Sequence, residues 1–305
     1  MLKAGYDVRW ANDKDAYACD AFRHRIPSVR LLAKDIAEVY PDDDNIEPVD
    51  VLVGGFPCQP FSVAGPARGF EDERSNTFYE AIRLARTLSP KPKCLILENV
   101  PHVRRWMDRL TPALNEAGYH FGNSNVWEMN VKDVTGIPQD RSRIFMCAFS
   151  MNEFSHNPFS PPPPPKNGAL LPLADFIDKS QQADPSLYLP KDSKYYKLLA
   201  DKIESGDARN LFHLRRTYVR EKQGELCPTL TASVGLGGHN VPFLEDRWGI
   251  RKLSPTEVAR LQGFEDLEVF PVGMSRAQKY RLVGNAVCVQ MACLVATEIR
   301  KVLEQ

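Results

Sequence analysis

The segment Val49-Asp50-Val51-Leu52-Val53-Gly54-Gly55-Phe56-Pro57-Cys58-Gln59-Pro60-Phe61-Ser62 runs from apolar side chains through two glycines into a loop stiffened by Pro57 and Pro60. Apolarity over Val49–Val53 predicts a strand covered on both faces, as in parallel sheets with crossover helices. Strand-like runs at Tyr6–Ala11, Cys94–Leu97 and Arg143–Phe149 alternate with helix-like segments at Asp15–His24, Ser75–Leu88 and Leu110–Ala117. That order predicts an α/β fold built on a doubly wound parallel sheet.

The alternation stops at Asn157–Pro165, where Pro161–Pro165 are five consecutive prolines. Such a run can neither continue a helix nor donate to a sheet ladder, and reads as a semi-rigid connector. The stretch from about 170 to 250 is polar, basic in the middle and glycine-rich at Gly235–Gly238, which predicts a second, smaller domain. Ser254 followed by Pro255 and Glu257 has the pattern of a capped helix start, and Ala286–Leu303 reads as a closing helix. The expected division is 1–165, 166–250, and a returning segment 251–305.

Composition narrows the function classes. Of 305 residues, 43% are hydrophobic, and the longest apolar runs are strand-sized, well below the roughly 20 residues that span a bilayer. The first residues, MLKAGYDVRW, lack a basic-then-apolar leader pattern. Seven cysteines without a C-x-x-C pair argue against a disulfide framework and a structural zinc site. The expectation is a cytoplasmic protein with no membrane association and no metal. Lys+Arg and Asp+Glu balance at 39 each, yet Arg209, Arg215, Arg216, Arg220 and Lys222 cluster around a single acid, Glu221. A polyanion needs only such a local stretch, although charge alone favours a solvated face.

Three elements carry candidate chemistry. Cys58 follows a strand end, where open α/β sheets place their ligands, and a thiolate there is a candidate nucleophile. Cys19, Cys94 and Cys147 lie in apolar segments and read as buried structural thiols. Glu98, in Glu98-Asn99-Val100, follows the Cys94–Leu97 run, so it and Cys58 can share one cleft; an acid at a buried strand end can act as a proton donor. Arg141 and Arg143, in Gln139-Asp140-Arg141-Ser142-Arg143, are two residues apart on an extended chain and are expected to face one side, suited to holding a carbonyl or a phosphate.

Taken together, GGFPCQPFS (Gly54–Ser62), GFEDERSNTF (Gly69–Phe78), ENV (Glu98–Val100), QDRSR (Gln139–Arg143), KLSPTEVARLQGF (Lys252–Phe264) and GNAV (Gly284–Val287) resemble the cytosine-C5 DNA methyltransferase family in order and spacing, over nearly the whole chain. The resemblance implies a Rossmann-like methyltransferase sheet, S-adenosylmethionine as methyl donor, and double-stranded DNA as substrate. By the same resemblance Cys58 attacks C6 of cytosine, Glu98 protonates N3, Arg143 holds O2, Arg141 supports the base and nearby phosphates, and Gln59 and Ser62 approach DNA. The base must be swung out of the duplex. Asp13 matches the ribose-binding acid, Asp35 and Ile36 the adenine contacts, and Pro57, Asn285 and Val287 further cofactor contacts. The 166–250 region matches the target-recognition domain, with Thr229, Leu230 and Gly237 in its recognition elements and Arg216 and Arg220 as phosphate contacts.

The resemblance further implies a monomeric modification enzyme of a bacterial restriction system, sharing its site with a cognate endonuclease. The family opens with a strand and a Phe-x-Gly-x-Gly loop that cradles the methionine part of the cofactor. This sequence starts at Met1-Leu2-Lys3, past that motif, so a preceding segment is expected, in preference to a partner-supplied loop or a cofactor-deficient DNA-binding relic. The related tRNA cytosine methyltransferases carry Cys-Phe-Thr where this sequence reads Glu225-Leu226-Cys227-Pro228-Thr229, which favours DNA. A cysteine hydrolase is disfavoured because no histidine is designated as partner.

Overall fold

The computed structural model describes residues 1–61, 69–163, 169–215, 218–234, 241–265 and 270–305. Ser62, Arg216, the Gly235–Gly238 loop with Gly237, and Pro164–Pro165 of the proline run lie outside them. The chain divides into two compact units. The first comprises Met1–Met129, Ser142–Pro164 and Cys293–Gln305, and the second Asn130–Arg141 and Pro165–Ala292.

In the first unit, β1 (Trp10–Asn12) pairs in parallel with β2 (Arg30–Leu32), and α1 (Ala16–Arg25) crosses between them. The strand expected at Tyr6–Ala11 is shorter and later in the chain. Asp15 caps α1 by accepting from the Tyr17 and Ala18 N–H groups at 3.0 and 3.1 Å, which satisfies donors that the helix start leaves open. β3 (Val51–Gly55) and β4 (Cys94–Asn99) are parallel neighbours, with Gly55 opposite Glu98. The helix between them, α2 (Asn76–Thr87), buries Phe78, Ile82 and Ala85 at helical spacing. After α3 (Met107–Glu116) and the short β5 (Tyr119–His120), β6 (Val126–Asn130) pairs with the strand that follows it at Ser142–Ser150.

In the second unit, α4 (Val131–Thr135) and β7 (Gln139–Asp140) precede that strand, β8 (Ser142–Ser150), which returns to the first unit's sheet. β8 is antiparallel to β4, with Asn99 opposite Ile144 and Cys94 opposite Phe149. This corrects the expectation of an all-parallel sheet. The apolar run reports only that both faces are covered: Ile144 and Met146 join Leu95 and Leu97 in the core, while Phe145 and Cys147 are equally buried on the other face. Coverage carries no information about strand direction.

The remainder of the second unit is built on α5 (Lys194–Glu204) packed against an antiparallel sheet of β9 (Leu211–Leu214) and β10 (Val219–Lys222), then, past β11 (Cys227–Pro228), β12 (Val241–Asp246) and β13 (Gly249–Lys252). Leu199, Phe212, Val241 and Phe243 form its core. β11 pairs in parallel with β7, which ties the 130–141 segment to this unit. α6 (Pro255–Leu261) starts with the expected capping box of Ser254 and Glu257. α7 (Arg276–Asn285) and α8 (Val289–Leu303) follow. Arg276–Leu303 is the one described helical stretch with the length and composition of a membrane span. Its buried Tyr280, Val283, Met291, Val295 and Ile299 are equally those of a core helix.

Candidate active site

The parallel pairing of β3 and β4 brings their carboxyl ends side by side, and the antiparallel β8 begins where β4 ends. Three candidate residues are thereby gathered at one sheet edge of the first unit. Cys58 lies three residues past β3 and is partly exposed. The Phe61 N–H donates to the Cys58 carbonyl at 3.0 Å, folding the following Gln59–Phe61 into a tight turn. Phe61 itself is buried and meets Phe56 edge-on. Gln59 points outward.

Asn99 joins this loop to β4. It is fully buried; its side-chain amide donates to the Phe56 carbonyl at 3.1 Å, and its oxygen accepts from the Val100 N–H at 2.8 Å. Glu98 stands beside it, its Oε1 2.9 Å from Arg143 Nε, both side chains mostly buried. Arg143 Nη1 also donates to the Ser142 carbonyl. Burial draws the Arg143 guanidinium below its ordinary value, and the charges of Glu98 and of an ionised Cys58 work the other way. Cys58 also acts electrostatically on Arg74, which Asp72 holds through a two-pronged pair at 2.9 and 2.6 Å. Sequence reading passed over Arg74; its place in GFEDERSNTF, beside an acid two residues away, was the available signal. Cys19, Cys94 and Cys147 are buried, as expected.

Along the same strand ends lies a cavity of about 850 Å³, within the range of small-molecule sites. Asp13, immediately past β1, and Asp35, three residues past β2, both line it, with Ile36, Pro57 and the half-exposed Val53. Asp13 and Asp35 are carboxylates beyond parallel strand ends, the arrangement that takes a ribose or an amino-purine. Asp35 caps the 3-10 turn Ile36–Glu38 and pairs with Lys14 at 2.7 Å; the hydrogen bond from Lys14 holds its carboxyl below the usual range. An apolar wall, two acids and open glycine backbone fit a nucleoside. Asn285 and Val287 lie in the second unit, at and just past the end of α7.

A family model of C-5 cytosine-specific DNA methylases matches residues 1–301. The chain belongs to the C-5 cytosine-specific DNA methylase family. Among its relatives are the type II methyltransferase M.Bsp6I of Bacillus sp. (strain RFL6), 34% identical over 97% of this chain and 92% of the relative, and M.NlaX of Neisseria lactamica, 30% identical over 97% and 90%. The fold is that of the Entamoeba histolytica methyltransferase EhMeth (TM-score 0.71, 16% identity, 96% of this chain and 88% of that one) and of Spodoptera frugiperda DNMT2 (0.70, 20%, 100% and 95%). Enzymes of this family draw their methyl group from S-adenosylmethionine.

Several signature residues of this DNA methylase are framework. Arg141 is buried, and its guanidinium donates to the carbonyls of Leu230, Gly284 and Ala286 at 2.7, 3.1 and 2.8 Å. Arg141 and Arg143, expected to act together, take separate partners: β7 ends and β8 begins around Arg141, so the two arginines do not share one strand, and Arg143 pairs with Glu98. Leu230, expected at DNA, is fully buried. The Thr229 hydroxyl donates to the Asp140 carbonyl at 2.7 Å. Gln139 reaches the Leu261 carbonyl at 2.6 Å. A Cβ on Gly284 would come within 2.3 Å of the Thr231 backbone, so close packing alone requires that glycine. Part of the basic run is neutralised internally: Arg209 pairs with Asp207 and Glu225, and Lys222 with Asp140 at 2.5 Å. Arg220 is exposed on β10.

Proposed function

We propose that this DNA methylase methylates C5 of a flipped-out cytosine through a transient bond between Cys58 Sγ and C6. Attack at C6 pushes electron density into the ring; Glu98 shares a proton with N3 as that charge develops, and Arg143 donates to O2. S-adenosylmethionine, when bound, supplies an electrophilic methyl group. Loss of the C5 proton to a base then lets Cys58 leave and restores the aromatic ring. Desolvation strengthens each polar contact at such a site. The observation that carries the reading is the Glu98–Arg143 pair at the sheet edge where the Cys58 loop is tied down by Asn99.

Asp13, Asp35, Ile36 and Pro57 would hold the nucleoside of the cofactor, with Asn285 and Val287 as further contacts. The first unit is the catalytic domain. The second carries target recognition, with Arg216, Arg220, Thr229 and Gly237 as DNA contacts and the buried Leu230 as support for that surface, while Gln59 and Ser62 are DNA contacts from the Cys58 loop of the first unit. The enzyme is a cytoplasmic monomer acting as the modification partner of a restriction endonuclease. Bisulfite sequencing of plasmid DNA from a methylation-free host expressing the chain tests this. Modified cytosines in one short context, absent with Cys58→Ser, are the expected result. Unmodified plasmid in the presence of folded protein, alone and with an added family-type N-terminal strand and glycine loop, would overturn it.

A further inference from the structure

Arg83 lies on α2 with no part in the scheme above, yet its side chain reaches the turn that lines the nucleoside cavity. Its Nη2 donates to the carbonyls of both Ile36 and Val39 at 2.9 Å. Glu80, one helical turn earlier, orients the guanidinium through Nε at 2.6 Å, and the guanidinium carbon stands 4.8 Å over the Tyr40 ring. Val39 is fully buried. The turn Ile36–Glu38 is therefore gripped at both ends: Asp35 caps its start by accepting from the Ala37 N–H at 3.1 Å, and Arg83 bridges the carbonyl of its first residue, Ile36, and that of Val39 just past its end.

A turn of three residues has little stability of its own, because short 3-10 segments satisfy few of their backbone groups. A part-buried guanidinium donating to two carbonyls supplies charge-assisted bonds that a neutral side chain does not. Ile36 and Asp35 both line the cavity, so the backbone that Arg83 holds is the backbone that presents them.

We propose that Arg83 is a positioning residue of the nucleoside subsite, fixing the Asp35–Val39 turn so that Asp35 and Ile36 meet the ligand without an ordering cost. The proposal rests on the reading of Asp35 and Ile36 as nucleoside contacts. Arg83 does not touch the ligand; it lowers the entropy lost on binding.

The test combines amide hydrogen exchange of the ligand-free full chain with calorimetric titration of S-adenosylhomocysteine, on wild type, Arg83→Met, Arg83→Lys and Ile36→Ala. For Arg83→Met, exchange across residues 36–40 should quicken roughly tenfold and the Kd for the analogue rise roughly tenfold, the scale of losing one hydrogen bond to a charged group. Duplex affinity should hold, the activity loss should fall on KM for the cofactor more than on kcat, and Arg83→Lys should recover part of the affinity. Unchanged exchange at 36–40 would overturn the proposal. So would an unchanged Kd in Arg83→Met while Ile36→Ala weakens binding. If Ile36→Ala also leaves the Kd unchanged, or wild type binds no analogue, the nucleoside reading fails and takes the proposal with it. Should Arg83→Met melt below the assay temperature, Glu80→Ala, which frees the guanidinium on its own helix, must give a smaller rise in both readouts.

Discussion

Glu98 Oε1 and Arg143 Nε lie 2.9 Å apart across adjacent antiparallel strands, with little of either side chain exposed. The pair exists because β8 begins where β4 ends, so that the last acid of one strand meets the first buried arginine of the next. Under the proposed mechanism each residue has two duties, holding its neighbour and facing the cytosine ring.

Substituting Glu98 separates these duties. Glu98→Gln keeps an acceptor for Arg143 but cannot exchange a proton with N3, and methyl transfer should fall by about 10²–10⁴-fold. Glu98→Ala leaves Arg143 unpaired and should in addition cost roughly 3 kcal/mol of stability. Urea denaturation beside single-turnover methylation distinguishes the two. Stability of both variants equal to that of wild type would show that the ion pair contributes nothing to the fold.

Cys58→Ser should abolish methyl transfer while the melting temperature stays within a few degrees of wild type, since Cys58 is only partly buried. Tritium transfer from labelled cofactor into duplex DNA measures it. Residual activity near that of wild type would remove Cys58 from the nucleophile's role.

Asn99 fixes the Cys58 loop through the Phe56 carbonyl. Asn99→Ala leaves that buried carbonyl and the Val100 amide to find other partners, a loss of about 1–3 kcal/mol. Asn99→Asp still accepts from Val100 but cannot, when ionised, donate to Phe56. Both should lower kcat more than they raise KM for either substrate, and steady-state kinetics decide it. A change confined to KM would mean that the loop is not what Asn99 controls.

Arg220 is exposed on β10. Arg220→Ala should weaken duplex binding about equally for cognate and unrelated sequences and reduce the salt slope by about one. Fluorescence anisotropy between low and moderate salt reads both. An unchanged slope would return this position to an ordinary solvated face.

His213, in the middle of β9, supplies a pH dependence. Burial foremost, and then the charges of Arg215, Lys222 and Arg220, push its value down to about 4. The unfolded chain therefore takes up a proton near pH 6.5 that the folded chain refuses until about pH 4. Stability tied to His213 is complete above pH 6.5 and is lost as pH falls toward 4, in total about 3 kcal/mol. His213→Phe should flatten the fall in urea midpoint between pH 7.5 and pH 5. Asp140, whose burial is outweighed by hydrogen bonds from Lys222, Asn130 and Lys132, is held at about 2, so its contribution is lost below that window. Parallel pH profiles for wild type and His213→Phe would dismiss the histidine as the source.

Much of this protein was legible in its residues. The strand before GGFPCQPFS, the helical spacing of Phe78, Ile82 and Ala85, and the Ser254–Glu257 capping box are local features, set by side-chain period and by the hydrogen-bonding needs of a helix end. That strand is left half-exposed at Val53 and is not covered on both faces as expected. Motif order designated the family, and the resemblance it carries is what proposes Cys58, Glu98 and Arg143. Sequence could not separate residues that perform chemistry from those that frame it. Arg141, Leu230 and Gly284 sit in the same motifs, yet Arg141 bonds to carbonyls far along the chain, Leu230 is core, and Gly284 makes room for the Thr231 backbone.

Strand direction was the tertiary structure's to decide. A fully buried strand has the same apolar run whichever way it points, because both faces are covered in either direction. Run parallel to β4, β8 would have carried Arg143 to the far end of the sheet, roughly 17 Å from Glu98. Antiparallel pairing placed the two side by side. The side chains were given by the residues; the direction of one strand made them neighbours.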